Sequence, residues 1–293
     1  TAWGGTQYAW GSAQIITLGV VAAAATAGFL LAESRAAEPM LPLHVFRNRN
    51  FSVATTMSFL LGLALFGAMT FLPLYQQTVQ GLSATGSGLM LIPMMLGSTV
   101  TALISGRVTT RTGRYKTLPI LGAAIMTVGL LLLTQLGTGT TRLETGLIFL
   151  VFGTGMGFLM QITTLVVQNS VPPQDMGVAA SSRTFFQQIG GSIGVAAFGA
   201  VFARRLTGAL SARLPAMHLV TGGSGQLNPA TVNHLPPLVR HDVFYAITHA
   251  ITGVFWWAAP AAAVVFLLGW LIQEVPLRGR APSEEQTAPE LVG

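Results

Sequence analysis

The hydrophobic and polar residues of this chain fall into long separate blocks. Seven apolar stretches recur along the sequence, and short polar or charged segments separate them. A membrane-spanning α-helix needs about 20 mostly apolar residues. The pattern therefore predicts seven membrane-spanning helices, at residues 13–32, 51–75, 83–105, 118–136, 145–167, 184–203 and 243–273.

The charged residues avoid these stretches. All nine acidic and all fifteen basic residues lie between the predicted helices or at their edges. This exclusion is expected, because a charge at the centre of a spanning helix costs about 2.5–3.5 kcal/mol on the insertion scale. Only 8% of the residues are charged, compared with about 25% in soluble domains. The sequence thus predicts an all-α, polytopic transmembrane bundle with no Lys or Arg inside a span.

Residues 106–116 form the densest cationic segment and set the predicted orientation. They hold four of the fifteen positive charges between two uncharged apolar runs. Lys and Arg accumulate in cytoplasmic loops, so we place this segment inside the cell. The same side then carries ten of the fifteen cations: Arg35, Arg47, Arg49, Arg107, Arg111, Arg114, Lys116, Arg183, Arg278 and Arg280. Residues 1–12 are expected outside and the C-terminal tail in the cytoplasm, and the pair Arg204 and Arg205 at an outer helix end opposes this orientation.

The composition excludes several functions. The chain contains no cysteine, which rules out disulfides and thiol catalysis. No carboxylate lies in a predicted span, so the acid-base pair or metal cluster of an intramembrane enzyme is missing. The cations are scattered over several loops, whereas a nucleic-acid surface needs them clustered. We therefore expect no enzyme activity, no metal, no cofactor and no nucleic-acid partner.

A few polar side chains interrupt the fifth and sixth apolar stretches. Gln161 and Thr164 belong to the fifth stretch, and Gln187 and Gln188 belong to the sixth. Each would be unfavourable against lipid. They either line a cavity for a small-molecule substrate or form hydrogen bonds between helices, and the sequence leaves both readings open.

Pairs of glycines occur in the same two stretches. Gly153 and Gly157, and likewise Gly190 and Gly194, are four residues apart. This spacing places both glycines of a pair on one helix face, where another helix can approach closely. We predict helix-packing seams at both pairs, which could also let the helices slide. Pro93 and Pro260 are expected to kink their helices.

The cationic segment resembles the cytoplasmic signature loop of the major facilitator superfamily. That loop reads Gly-xxx-Asp-Arg-x-Gly-Arg-Arg/Lys, and the segment here reads Gly106-xxx-Thr110-Arg111-x-Gly113-Arg114-x-Lys116. Arg107 lies in the unspecified xxx stretch and adds a further positive charge to the predicted gate segment. An ordered set of further motifs resembles the C-terminal half of the fourteen-span drug:proton antiporters: Glu38-Pro39, residues 72–76, Gly81, residues 88–93, Gln168-Asn169 and residues 190–195. Thr110 stands where the family has Asp, so a charge lock at this loop is in doubt.

The resemblance implies proton-driven export of drugs or other amphipathic small molecules by alternating access. A missing N-terminal half would carry the proton-binding carboxylates. The signature loop would contribute to the inner gate, and the chain would lie in the cell membrane as part of a multidrug efflux system that confers antibiotic resistance. Separately, fourteen Arg against one Lys, with abundant Ala and Gly, indicate a GC-rich bacterial gene. The resemblance divides the chain into an outer segment (1–12), a linker span (13–32), a cytoplasmic interfacial loop (33–50), a six-span bundle (51–273, with an outer loop at 204–242) and a disordered tail (274–293).

Two other functions remain open at this stage. The chain could export one metabolite made by the same cell, or it could be a truncated membrane scaffold that does not transport and uses its glycine seams to bind a partner.

Overall fold

The computed structural model of the chain describes residues 11–35, 43–213 and 237–276. All regular secondary structure in these residues is helical, which confirms the predicted all-α fold. Predictions for residues 1–10, 36–42, 214–236 and 277–293 fall outside the described residues. These include most of the outer segment 1–12, part of the loop 33–50, most of the outer loop 204–242 and most of the tail. The helices are α1 Ala13–Arg35, α2 Arg49–Thr78, α3 Ala84–Leu89, α4 Ile92–Thr112, α5 Thr117–Leu133, α6 Arg142–Asn169, α7 Met176–Arg213 and α8 Pro237–Leu271.

Each predicted span falls on a helix, with α3 and α4 together covering the third. Five stretches are long and apolar enough to cross a membrane: Arg49–Thr78, Ala84–Thr112, Arg142–Asn169, Pro173–Ala212 and Val239–Leu271. The 17 residues of α5 and the apolar part of α1, Ala13–Ala25, are shorter. A helix of this length in α5 reaches about 26 Å, compared with a hydrocarbon core of about 30 Å. By length and composition, five of the seven predicted spans qualify.

The third span is broken where the sequence predicted a kink. Helix α3 ends at Leu89, and α4 begins at Ile92 with Pro93 in its first turn. A proline at this position removes no hydrogen bond of the helix, because the first backbone N–H groups of a helix have no partner within it. Pro93 therefore starts a helix and does not kink one, whereas Pro260 lies inside α8.

Most of the predicted loop 106–116 is helical. Helix α4 continues to Thr112, and Gly113 ends it with a φ of 74° and an N–H···O bond of 2.9 Å to Thr109. Glycine adopts this left-handed conformation without the steric penalty that a Cβ would add. The turn itself is only residues 113–116, so the prediction of an eleven-residue loop was wrong.

Helix α7 is longer than predicted at both ends. It runs Met176–Arg213, so Arg183, Arg204 and Arg205 lie within it. Arg205 lies against Gly253 of α8, where a Cβ would collide with the guanidinium group. At its C-terminal end α7 can continue past the apolar stretch because Arg204 is exposed and Arg205 half-buried, and such long side chains keep their charged ends near water.

Six helices form two groups of three, called rows here. In the first row α6 packs between α4 and α5, and in the second α2, α7 and α8 all pack against one another. The rows meet mainly where α2 contacts α6 and where α5 contacts α8, and a smaller contact joins α6 to α7. Helices α4 and α7 make no extensive contact with each other among the described residues. On the side of α4 and α7, called the separated side, the smaller α6–α7 contact therefore joins the two rows.

Glycines permit the closest approaches within each row. A Cβ at Gly157 of α6 would collide with the Ser98 carbonyl of α4, and one at Gly153 would collide with that of Met94. In the other row, Gly190 and Gly194 of α7 lie against the carbonyls of Phe59 and Leu63 of α2. Gly155, two residues from each of the α6 pair, lies against Met126 of α5. Its position on the opposite face of α6 explains how that helix packs between two neighbours.

Helix α1 stands apart from the two rows. It makes no extensive contact with another described helix, and its apolar side chains Ile16, Leu18, Val20 and Val21 are exposed. Exposed apolar residues all along one helix are expected where lipid covers it.

Candidate functional site

Arg183 bridges the two rows on their separated side. It lies in the third turn of α7, and its guanidinium group reaches α6. Nε donates a 3.3 Å hydrogen bond to the Thr163 hydroxyl, and Nη2 donates one of 3.4 Å to the Met160 backbone oxygen. The residue is only 7% exposed. Arg183 directly precedes the predicted span 184–203 and lies in the part of α7 that begins eight residues before that span.

Thr164, a predicted cavity residue, lies beside this arginine. Its hydroxyl donates a 2.7 Å hydrogen bond to the Met160 backbone oxygen, which also accepts from Arg183. Thr164 is half-buried. The two side chains therefore meet at a single carbonyl in the C-terminal half of α6.

Gln161, on the same helix, faces α4. It is half-buried, and its amide nitrogen is 3.7 Å from the position that a Cβ would occupy at Gly106. One predicted cavity residue thus lies next to the first glycine of the signature segment.

The adjacent amides of α7 have different surroundings. Gln187 is 8% exposed, and its backbone carbonyl lies against Gly62 of α2. Gln188 is exposed, one turn from each of the exposed residues Thr184 and Ser192. Consecutive residues of a helix point about 100° apart, which explains the contrast. Of the two, only Gln188 lies on an exposed polar stripe, and the assignment of either to a substrate cavity stays a prediction.

The signature segment is attached to the bundle by Tyr115, a residue that the sequence analysis did not single out. Arg107, Arg111 and Arg114 are exposed, whereas Tyr115 is 1% exposed. Its hydroxyl donates to the Gln273 backbone oxygen at 3.1 Å and accepts from the Val275 N–H at 3.0 Å. Burial raises the pKa of this hydroxyl above its usual value. The sequence feature that could have indicated this role is the aromatic ring of Tyr115 between two cations, Arg114 and Lys116.

Further hydrogen bonds hold the chain after α8 in place. The Asn50 side chain donates to the Gln273 backbone oxygen at 2.8 Å and accepts from the Gln273 N–H at 2.9 Å. The Tyr115 N–H donates to the Glu274 carboxylate at 3.2 Å. The start of α2, the α4–α5 turn and the end of α8 therefore meet at one end of the bundle.

The described residues contain no group of three or more His, Asp or Glu side chains that could hold a metal ion. The groups that meet where α7 contacts α6 are the Arg183 guanidinium, the Thr163 and Thr164 hydroxyls and the Met160 carbonyl. The structure does not bring the predicted amides into this cluster, because Gln161 faces α4 and Gln187 faces α2. Such a set can bind and orient a small molecule.

The Major Facilitator Superfamily model matches residues 1–195 of this chain. The chain belongs to the Major Facilitator Superfamily. Members of this superfamily are transporters and not enzymes, which confirms the prediction of no enzyme activity. The predicted resemblance of the signature segment is therefore confirmed for the superfamily as a whole.

Two related superfamily transporters come from bacteria. The chain is 41% identical to an uncharacterized MFS-type transporter of Mycobacterium tuberculosis, over 94% of this chain and 40% of the relative. It is 38% identical to the multidrug transporter protein MdtP of Bacillus subtilis, over 72% of this chain and 39% of the relative. The chain thus spans about two fifths of the length of these relatives.

A solved structure shares the fold. It is the crystal structure of a bacterial homologue of the human lysosomal transporter Spinster, in an inward-facing and unoccupied conformation. The TM-score is 0.61 at 15% identity, over 80% of this chain and 51% of the other.

Proposed function

We propose that this chain is the C-terminal half of a fourteen-span drug:proton antiporter. With its N-terminal half it exports drugs or other amphipathic small molecules across the cell membrane by alternating access, driven by the proton gradient. In this proposal the proton-carrying carboxylate belongs to the N-terminal half.

The observation that carries this proposal is the polar stripe on α7. Thr184, Gln188 and Ser192 follow one another at intervals of four residues and are all exposed, although α7 is an apolar helix that is long enough to cross a membrane. Amides are unfavourable against lipid. A water-containing cavity shared with another part of the transporter accommodates these groups, and a cavity of this kind is what alternating access requires.

The separation of α4 from α7 supports the same mechanism. The rows are held together mainly by the α2–α6 and α5–α8 contacts, and α6 and α7 make a smaller one, so the side of α4 and α7 is the natural border of a central cavity. Gln161 and Thr164 on α6 and Gln187 and Gln188 on α7 then contribute to its wall. Gly106, Arg107, Arg111, Gly113, Arg114 and Lys116 contribute to the inner gate.

The relatives support the substrate class. A transporter named for multidrug transport is 38% identical to this chain. Neutral polar groups among apolar side chains suit amphipathic molecules of several shapes, because few fixed hydrogen bonds restrict the ligand.

The test is an efflux assay with the full-length protein in cells that lack their own drug exporters. We expect lower accumulation of an amphipathic dye, with the difference abolished by a protonophore. Gln161→Ala, Gln188→Ala and Gln187→Ala should each change the export of at least one substrate at normal abundance. Normal export of every substrate by all three variants would remove these residues from the cavity, and absence of any export by the wild type would refute the proposed function.

A further inference from the structure

Within the part of the chain that the structure describes, Arg183 is a buried cation with only neutral partners. Thr163 and Met160 supply the two oxygens it contacts, and no carboxylate of the described residues forms an ion pair with it. A guanidinium group has five N–H donors, and its Nη1 has no hydrogen-bond partner among the described residues. The group therefore keeps both an uncompensated charge and unused donors.

Burying an unpaired charge is unfavourable unless something compensates it. Other described cations on these helices are better solvated, so their charge is less costly. Arg107, Arg111 and Arg204 are exposed, and Arg205 is half-buried. Arg183 is 7% exposed and lies about seven residues into α7. An ionisable side chain at such a position in a membrane protein is expected to serve binding or transport.

An apolar surface continues from this cation along α7. Phe186 follows Arg183 by three residues, a spacing that places two side chains on neighbouring parts of one helix face. Its ring packs edge-on against Phe46 and Phe185, with centroids 5.7 Å apart in each pair. A cation beside an aromatic cluster is complementary to a molecule with an anionic end and an apolar body.

We propose that Arg183 binds the anionic group of a transported amphiphile, such as a carboxylate, sulfonate or phosphate. This inference rests on the proposed export function. The planar guanidinium fork matches the two oxygens of such a group, while Thr163 and the Met160 carbonyl hold the fork in position. The transporter therefore selects anionic or zwitterionic amphiphiles over cationic ones of the same size.

The experiment measures export of three dyes that share one ring system. One ends in a carboxylate, one in the corresponding carboxamide and one in an amine. We compare full-length wild type with Arg183→Gln and Arg183→Lys, and use Arg204→Gln, an exposed cation on the same helix, as the matched control. Arg183→Gln should reduce carboxylate export by about tenfold to a hundredfold and leave carboxamide export within about twofold. Carboxylate export by Arg183→Lys should lie between that of the wild type and that of Arg183→Gln, because an ammonium group keeps the charge but lacks the planar fork of donors.

The outcomes separate the two proposals. If the wild type exports none of the dyes, the proposed function fails. If it exports the amine and the carboxamide but not the carboxylate, the function stands and the Arg183 assignment fails. An equal loss of all three dyes in Arg183→Gln also overturns it, because it would mean that Arg183 pairs with a carboxylate elsewhere in the transporter.

A second measurement covers the case in which Arg183→Gln does not fold. With purified wild type, the carboxylate dye should raise the unfolding temperature more than the carboxamide dye at equal concentration. Equal shifts for the two dyes would contradict anion binding.

Discussion

The Tyr115 hydroxyl donates a 3.1 Å hydrogen bond to the backbone oxygen of Gln273, 158 residues further along the chain. Tyr115 lies in the turn that follows α4, and Gln273 lies just after α8. The neighbouring side chains of Arg107, Arg111 and Arg114 are exposed. The phenol and the backbone N–H of Tyr115 therefore attach the signature segment to the chain that follows α8, and the Arg charges stay at the surface.

Tyr115→Phe should destabilise the protein by about 1–3 kcal/mol. The substitution keeps the buried ring but leaves the Val275 N–H without its acceptor and removes one of two donors to the Gln273 oxygen. Thermal unfolding of the full-length protein in detergent measures the effect.

Thr110→Val is the matched control for that substitution. Thr110 is exposed, and its hydroxyl bonds only to the Gly106 and Arg107 carbonyls of its own helix. Its effect should stay within about 0.5 kcal/mol. If Tyr115→Phe were equally mild, the phenol would not hold the turn.

Gly190→Ala should strongly destabilise the α2–α7 contact. The added methyl group would overlap the Phe59 carbonyl, so the two helices must separate. Overpacking of this kind costs about 1–3 kcal/mol or more. The yield of folded protein and its unfolding temperature should both fall.

Gly199 on the same helix provides the comparison. No atom lies within 4 Å of the position its Cβ would take, and alanine is about 0.5–1 kcal/mol better than glycine inside a helix. Gly199→Ala should therefore be neutral or stabilising. Similar losses for both variants would mean that close helix approach is not the reason for Gly190.

The two glycines of the signature segment should respond differently to substitution. Gly113 has a φ of 74°, a conformation that costs most L-residues about 1–2 kcal/mol. Gly106 lies inside α4, and its added Cβ would make only an ordinary 3.7 Å contact with Gln161. Gly113→Ala should lower the unfolding temperature, whereas Gly106→Ala should leave it unchanged or raise it.

Asparagine tests the conformational reason at Gly113. Asn tolerates the left-handed conformation better than Ala, so Gly113→Asn should recover part of the lost stability. If Asn and Ala were equally damaging, lack of space around Gly113 would be the cause.

The predicted orientation can be tested by single-cysteine labelling, because the chain has no native cysteine. Thr110 and Thr138 are both exposed. Thr110 lies near the end of α4, before α5 begins, and Thr138 follows the end of α5, so the two residues lie at opposite ends of α5. With the signature segment inside, an impermeant maleimide should label Thr138→Cys in intact cells and Thr110→Cys only after permeabilisation. The reverse pattern would invert the topology.

The sequence predicted the positions of the spanning helices well, because each must bury its backbone hydrogen bonds within an apolar stretch of fixed minimum length. It predicted their ends less well. Helices α4 and α7 continue through Arg-containing segments, since a helix does not stop where the membrane does. Because α7 starts eight residues before the predicted span, Arg183 lies within a helix and is buried, whereas the sequence placed it in a cytoplasmic segment between spans.

By itself the sequence determined the class of protein, the all-α fold and the superfamily, because these depend on apolar length, on charge exclusion and on local motifs. The tertiary structure decided which residues meet. The pairing of Arg183 with Thr163, and of Tyr115 with Gln273, joins positions 20 and 158 residues apart, and no local pattern encodes such a contact. It follows from how the two rows of helices pack, which is set by glycine contacts such as those of Gly157 and Gly190 with neighbouring backbones.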